Sequence, residues 1–264
     1  MPDGGPVVSL RNVQKDYRSL RPLRIHHLDV HPGESVALLG LDRGAAEVLV
    51  NLITGASVPD TGEVVVFGTP TRSIADADAW LAAMDRFGII SERVVLLDAF
   101  SVQQNLLLPF SLDVHDIPEE LQARVAALAE EVGISSEDLM RSPATLAESV
   151  RARARLAKAI ALEPHLLVAE HPTAMLEAAD AAGYASDLSQ ITRRRRLTTV
   201  VATADRAFAH VVASRVLELQ PATGELRPVP SPSVQRPWNR TWIRILETIR
   251  GWSSEGKRRG ERHD

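Results

Sequence analysis

The chain of 264 residues contains no cysteine. That excludes disulfide frameworks and thiolate-bound metal, and it is compatible with a reducing compartment. No uncharged apolar run approaches the roughly 18 residues that span a bilayer. The opening "MPDGGPVVSL" lacks the basic head and apolar stretch of a secretory signal. The chain is therefore expected to be cytoplasmic, or peripheral on the inner face of the cell membrane. An excess of basic charge is missing as well. Lys and Arg number 30 against 34 Asp and Glu, a net charge of -4, so no global field draws nucleic acid, which is not an expected partner. What the chain does have is apolar content. At 45% hydrophobic residues, this length can bury a substantial core in one large or two small domains.

Short apolar runs bounded by turn residues come first: "VVSLRNV", "LRIHHLDV", "SVALLG" and "GEVVVFG". They read as strands. Helical patterns follow in "AAEVLVNLITG", "DADAWLAAMDRFG" and "EELQARVAALAEEVG", with Gly55, Gly88 and Gly133 expected just past the helix ends. "RARARLAKAIALEP" is a strong helix former stopped before Pro164. "HLLVAEHP" and "LTTVVATAD" are continuous apolar runs of the kind that form buried parallel strands. The run Arg193 to Arg196 is expected to be a solvated helix end, favoured there by the helix dipole. Strands that meander first and alternate with helices later predict an α/β fold with a β-rich start. Pro228 to Pro237 reads as a Pro/Ser linker. After it, Trp238, Trp242, Ile245, Leu246, Ile249 and Trp252 recur at helical spacing opposite Arg240, Arg244 and Arg250. Residues 238–264 are thus expected to be an amphipathic Trp/Arg helix with a disordered tail, the helix a candidate contact for a partner or a membrane surface.

The order of these segments resembles the ATP-binding-cassette (ABC) ATPases, the nucleotide-binding subunits of ABC transporters, and within them the lipoprotein and macrolide exporters. Its strongest anchor is "RARARLAKAIALEPHLLVAEHPTAMLE", and "HPGESVALLG", "PDTGEVVVFG" and "FSVQQNLLLPF" match in order. The resemblance implies a P-loop NTPase-like cassette: a mainly parallel core sheet, an antiparallel β-subdomain and an α-helical subdomain. It covers residues 1–227, with the helical part at about 101–160. It also implies ATP and Mg²⁺ as ligands, a membrane permease subunit as partner, and a cassette dimer of like or unlike chains.

In that register the site positions can be assigned. A working P-loop cradles phosphate with backbone N–H groups, with a Lys on the β/γ oxygens and a Ser/Thr on Mg²⁺. Here Gly40 matches the first glycine. Ala45 stands at the second, with Gly44 one position early, Ala46 at the lysine and Glu47 at the hydroxyl. Arg43 is a candidate phosphate donor, and Tyr17 fits the aromatic position that stacks adenine. Glu170 stands at the metal-binding acid, and Glu92 at the glutamine that coordinates metal. The metal candidates are therefore Glu47, Glu92 and Glu170. His171 takes the place of the acid that polarises the attacking water, so Glu170 and His171 are the catalytic candidates. Ala204 replaces the switch histidine, and "LAESV" (Leu146 to Val150) replaces the "LSGGQ" signature.

The expected function is a degenerate ABC subunit, a pseudo-ATPase that is structural or regulatory in a transport-type complex. Two readings stay open beside it. One is an active ATPase with Arg43 on phosphate, Glu47 and Glu170 on Mg²⁺ and His171 as base. The other is a non-transport binding module that uses the Trp-rich helix. Plainer readings stand next to each residue: Glu47 and Glu92 as solvated surface acids, His171 as a structural histidine before proline, Tyr17 as packing for the β-rich part.

Overall fold

In a computed structural model, residues 5–74 and 76–231 are described. The expected helix within 238–264 lies outside the described residues. The chain divides into a unit covering 1–229 and a second covering 230–264, and every described strand and helix belongs to the first.

Two strands open the fold, β1 (Val8–Lys15) and β2 (Leu23–Val30). Then β3 (Ser35–Leu39) runs into helix α1 (Arg43–Ile53), and the hairpin strands β4 (Thr61–Val66) and β5 (Thr69–Pro70) come after it. Next are α2 (Ala77–Met84) and β6 (Phe87–Ile90). A helical block succeeds them: α3 (Val102–Leu107), α4 (Glu119–Glu131), α5 (Ser136–Leu139) and α6 (Glu148–Ile160). The chain then alternates through β7 (Leu166–Glu170), α7 (Ala178–Arg195), β8 (Thr198–Ala202), α8 (Arg206–Val212), β9 (Arg215–Gln220) and β10 (Glu225–Pro228).

The strands form two sheets. One is antiparallel in the order β2-β1-β4-β5, and the other runs β10-β9-β3-β8-β7-β6. The second is parallel except for β10 at its edge. Its central strands β7 and β8 are buried at every residue. Strands covered on both faces need such continuous apolar runs, whereas β1 alternates more because one of its faces is less covered. Two apolar cores result. Leu38, Leu49, Val168 and Val200 belong to the one beneath α1 and the antiparallel sheet. Leu106, Leu156, Leu167 and Tyr184 belong to the one that joins the helical block to the other face of the parallel sheet.

Local chemistry fixes the helix ends. Ser101 and Gln104 form a reciprocal capping box on α3. The fully buried Asn105 uses its amide on Leu97 and on the Ser101 carbonyl, so it leaves no orphan. Trp80 donates its indole N–H to the Thr54 carbonyl at 3.0 Å, which fastens α2 to the end of α1.

Gly55 and Gly133 take left-handed conformations past α1 and α4, as the sequence predicts. Gly88 does not: α2 stops at Met84 with Asp85 as its cap, and Gly88 lies inside β6. It is glycine for lack of room, because an added Cβ would lie 2.5 Å from the Ala159 carbonyl oxygen. The arginine run is also more than a solvated end. Arg196 does cap α7 in the left-handed region, but Arg194 and Arg195 clasp Glu131 of α4. Among the described residues no helix is long and apolar enough to cross a membrane.

Candidate functional site

In an open parallel sheet, loops at the carboxyl ends of the strands build the crevice. Here β3, β6, β7 and β8 deliver the predicted residues to that edge. Glu170 is the last residue of β7 and is only 9% exposed. A carboxylate that deep needs partners, and it has two. The Ser91 hydroxyl, just after β6, donates to Oε1. The Arg93 guanidinium donates Nε to Oε1 and Nη2 to Oε2, each at 3.0 Å. This is the two-pronged geometry in which Arg binds carboxylate most strongly. The remaining prong of the same guanidinium, Nη1, reaches Glu47 of α1 at 2.8 Å. Ser91 Oγ accepts the Arg93 backbone N–H at 3.0 Å, which orients the loop. One cation thus serves two carboxylates from two different elements. Burial alone would lower the pKa of Arg93, but its hydrogen bonds to Glu170 and the charges of Glu170 and Glu47 outweigh that, so the net shift is upward and the group stays charged.

Glu92 faces elsewhere, pairing with Arg43 at 3.0 Å. The structure therefore gathers Glu47 and Glu170 on one point and puts Glu92 on another. Neither Glu47 nor Glu92 is simply a solvated acid; each has a guanidinium partner.

The turn between β3 and α1 is shaped by Gly40 and Asp42. Gly40 has φ of +82°, and an added Cβ would lie 2.8 Å from the Leu219 carbonyl oxygen of β9. Asp42 is the N-cap of α1, and its carboxylate accepts the Ala45 N–H at 2.7 Å. Ala46 is fully buried. Tyr17 rests on this turn: a Cβ on Gly44 would lie 3.1 Å from its ring. Tyr17, Gly40, Asp42 and Ala45 line a cleft of about 310 Å³ shared with Arg21 and Arg24.

His171 comes directly after Glu170 with φ of +43°, held there by its backbone N–H on the Ala202 carbonyl at 2.8 Å. Its Nε2 is buried and has no partner among the described residues, and the same holds for the Tyr184 hydroxyl. Both residues line a recess of about 20 Å³ with Ser91, Glu170 and Arg155, room for about one water. Glu148, in the first turn of α6, is tied to Arg151 and to Arg155 at 2.6 Å. Ala204 is exposed, and beside it Asp205 caps α8 through the Phe208 N–H.

A family model described as ABC transporter matches residues 23–174, more than half of the chain. The chain belongs to the ABC transporter family. It is 28% identical over 218 residues to the lipoprotein-releasing system ATP-binding protein LolD of Pseudomonas syringae pv. tomato, covering 81% of this chain and 95% of that one. It is 29% identical over 227 residues to the sulfate/thiosulfate import ATP-binding protein CysA of Thermosynechococcus vestitus, covering 86% of this chain and 64% of the relative. Among solved structures, the dimeric bacterial ABC transporter cassette MJ0796 superposes with a TM-score of 0.71 at 21% identity, over 85% of this chain and 99% of that one. The cbiO1 protein of Clostridium perfringens, part of the cbiONQ complex, superposes with a TM-score of 0.73 at 19% identity, over 94% and 100%. At such identities the superpositions establish the cassette fold alone, an antiparallel sheet and a helical block on a parallel core.

The ABC register makes the carboxylate pair the natural place to test for Mg²⁺. A hard cation needs oxygen ligands with free lone pairs and tolerates no competing positive charge. Arg93 already holds both carboxylates, and no group of three or more His, Asp or Glu side chains among the described residues is set to hold a metal ion. While Arg93 stays in place, the donor set does not fit Mg²⁺. Arg93 is the site residue that sequence reasoning missed. Its only signal was position, one residue past the predicted glutamine equivalent Glu92 and two past a serine at the end of a strand.

Proposed function

We propose that this chain is the cassette subunit of a transport-type complex and that it acts there as a structural or regulatory component, with weak or absent ATP hydrolysis. The observation that carries this reading is the Asp42 cap. Ala45 stands where a P-loop N–H would hold a phosphate oxygen, and that N–H is already given to the chain's own carboxylate at 2.7 Å. A second negative charge brought within about 4 Å would be repelled by roughly 1 kcal/mol in bulk water and about 4 at the effective dielectric of a protein surface. The usual compensation is missing, because Ala46 supplies no cation where a lysine would give a contact of roughly 1.5–3 kcal/mol. Arg43 is engaged by Glu92, and exposed Ala204 has no group for a terminal phosphate. Glu148, folded back on Arg151 and Arg155, fits a signature segment that offers little to a partner cassette.

The family and the names of the relatives support the wider assignment. LolD and CysA are named as ATP-binding proteins of release and import systems, and MJ0796 is known bound to ADP and Pi. By that likeness the chain sits against a membrane permease on the cytoplasmic side, paired with a second cassette. Steady-state phosphate release from MgATP tests the reading. The expected rate is at background and is unchanged in Glu170→Ala and His171→Ala. Release well above background that both substitutions abolish would overturn it.

A further inference from the structure

The carboxylate pair from which Arg93 excludes Mg²⁺ is itself an organised site, and its role rests on the pseudo-ATPase reading. Glu47 comes from α1, Glu170 from the end of β7 and Arg93 from the loop after β6. All three prongs of the guanidinium are used, two on Glu170 and one on Glu47. Ser91, which donates to Glu170, also accepts the Arg93 N–H. The arrangement has the composition of a small cation site: two carboxylates around one positive charge, with a hydroxyl on one of the carboxylates. Here the positive charge is covalently attached. We propose that Arg93 is a built-in cation that takes the place of a divalent metal, locking α1, β6 and β7 together without any ligand and keeping a latent metal site closed.

Two features favour this over an ordinary surface ion pair. Glu170 is nearly buried, so removing its partner leaves a buried carboxylate that must take up a proton or another cation. The two carboxylates come from β7 and from α1, which follows β3, and the sheet holds β7 and β3 in register through β8, Val168 pairing with Val200 and Ala37 with Val201. The carboxylates stay close when the arginine is withdrawn, and a site on rigid elements keeps its geometry.

The test uses the full chain and Mn²⁺ alone as probe, read by the loss of the free-ion electron paramagnetic resonance signal. The wild type and Arg93→Lys are expected to take up no Mn²⁺ at this site. Arg93→Ala and Arg93→Gln are expected to gain affinity by about tenfold or more, since the competing charge is gone. The gain should vanish when Glu170→Gln is added. Equal binding by wild type and Arg93→Ala, or a gain that survives Glu170→Gln, overturns the proposal. Circular dichroism tracks folding: a variant that Mn²⁺ folds supports the proposal, and one that stays unfolded with Mn²⁺ counts against it. Phosphate release separates the two ideas. Hydrolysis by wild type together with the Mn²⁺ gain in Arg93→Ala sinks the pseudo-ATPase reading alone. Silence in both assays sinks the latent site alone.

Discussion

Replacing Gly40 by alanine separates the two reasons a P-loop glycine can be retained, phosphate and fold. The residue leaves β3 with φ of +82°, a region that costs a residue with a Cβ roughly 1–2 kcal/mol. The new Cβ would also meet the Leu219 carbonyl oxygen at 2.8 Å. That oxygen belongs to β9, which pairs with β3 from Val36 to Leu39, so it cannot retreat without opening a central ladder. Overpacking of this kind costs roughly 1–3 kcal/mol. The sum is about 2–5 kcal/mol, and a domain of this size loses roughly 2–4 °C in Tm per kcal/mol. Gly44→Ala is the control. Gly44 lies within α1 without a positive φ, and its neighbour at 3.1 Å is the ring of Tyr17, a partly exposed side chain that can shift. A helix gains about 1 kcal/mol when glycine becomes alanine, which offsets the crowding. Thermal unfolding of the nucleotide-free chain should therefore show a fall of at least ~4 °C for Gly40→Ala by the same scaling, and little change for Gly44→Ala. A drop under about 2 °C at Gly40, or an equal drop at Gly44, would refute a structural reason for keeping the glycine.

The Asp42 cap and the Glu131 clasp give two further expected outcomes. Asp42→Ala removes the cap of α1 and should lower stability by about 1 kcal/mol in urea unfolding, whereas Asp42→Asn should keep most of it; equal losses would show that the cap contributes little. Glu131 is held below the ordinary glutamate range by its hydrogen bond to Arg195, against the opposing effect of burial and with help from the charges of Arg195 and Arg194. A depressed carboxylate gives stability that is present above the ordinary range and is lost as pH falls through the depressed value. Glu131→Gln should accordingly cost about 1–2 kcal/mol at neutral pH, and the gap to wild type should close in acid. A gap independent of pH would deny the pair its charge-based role.

The fold was legible because its signals are local and numerous. Val168 and Val200 sit in apolar runs long enough to read as buried strands, and helices such as α1 and α3 carry a capping residue at their own start. The error at Gly88 shows the limit of that logic. A glycine after a helical pattern reads as a left-handed stop, but this one is required by the Ala159 carbonyl oxygen of another element, which no window around residue 88 contains. Of the candidate site, the positions could be named from the sequence but their partners could not. Family register named Glu47, Glu92 and Glu170 as metal candidates because it assigns positions; the structure brings Glu47 and Glu170 onto Arg93 and pairs Glu92 with Arg43 instead. What register cannot supply is a replacement that arises at a place the family does not use. Arg93 lies 46 residues from Glu47 and 77 from Glu170, in a loop where an arginine reads as solvent-facing. Its meaning comes only from the first turns of α1, the end of β7 and the loop after β6 meeting at one edge of the sheet. The negative charge at Glu47 is then no longer evidence against an ordered site. An acid at the hydroxyl position repels a triphosphate, yet it is what a tethered guanidinium needs as its second anchor. With alanine at position 46 and an acid at position 47, the charge that balances Glu47 and Glu170 is supplied from inside the chain by Arg93.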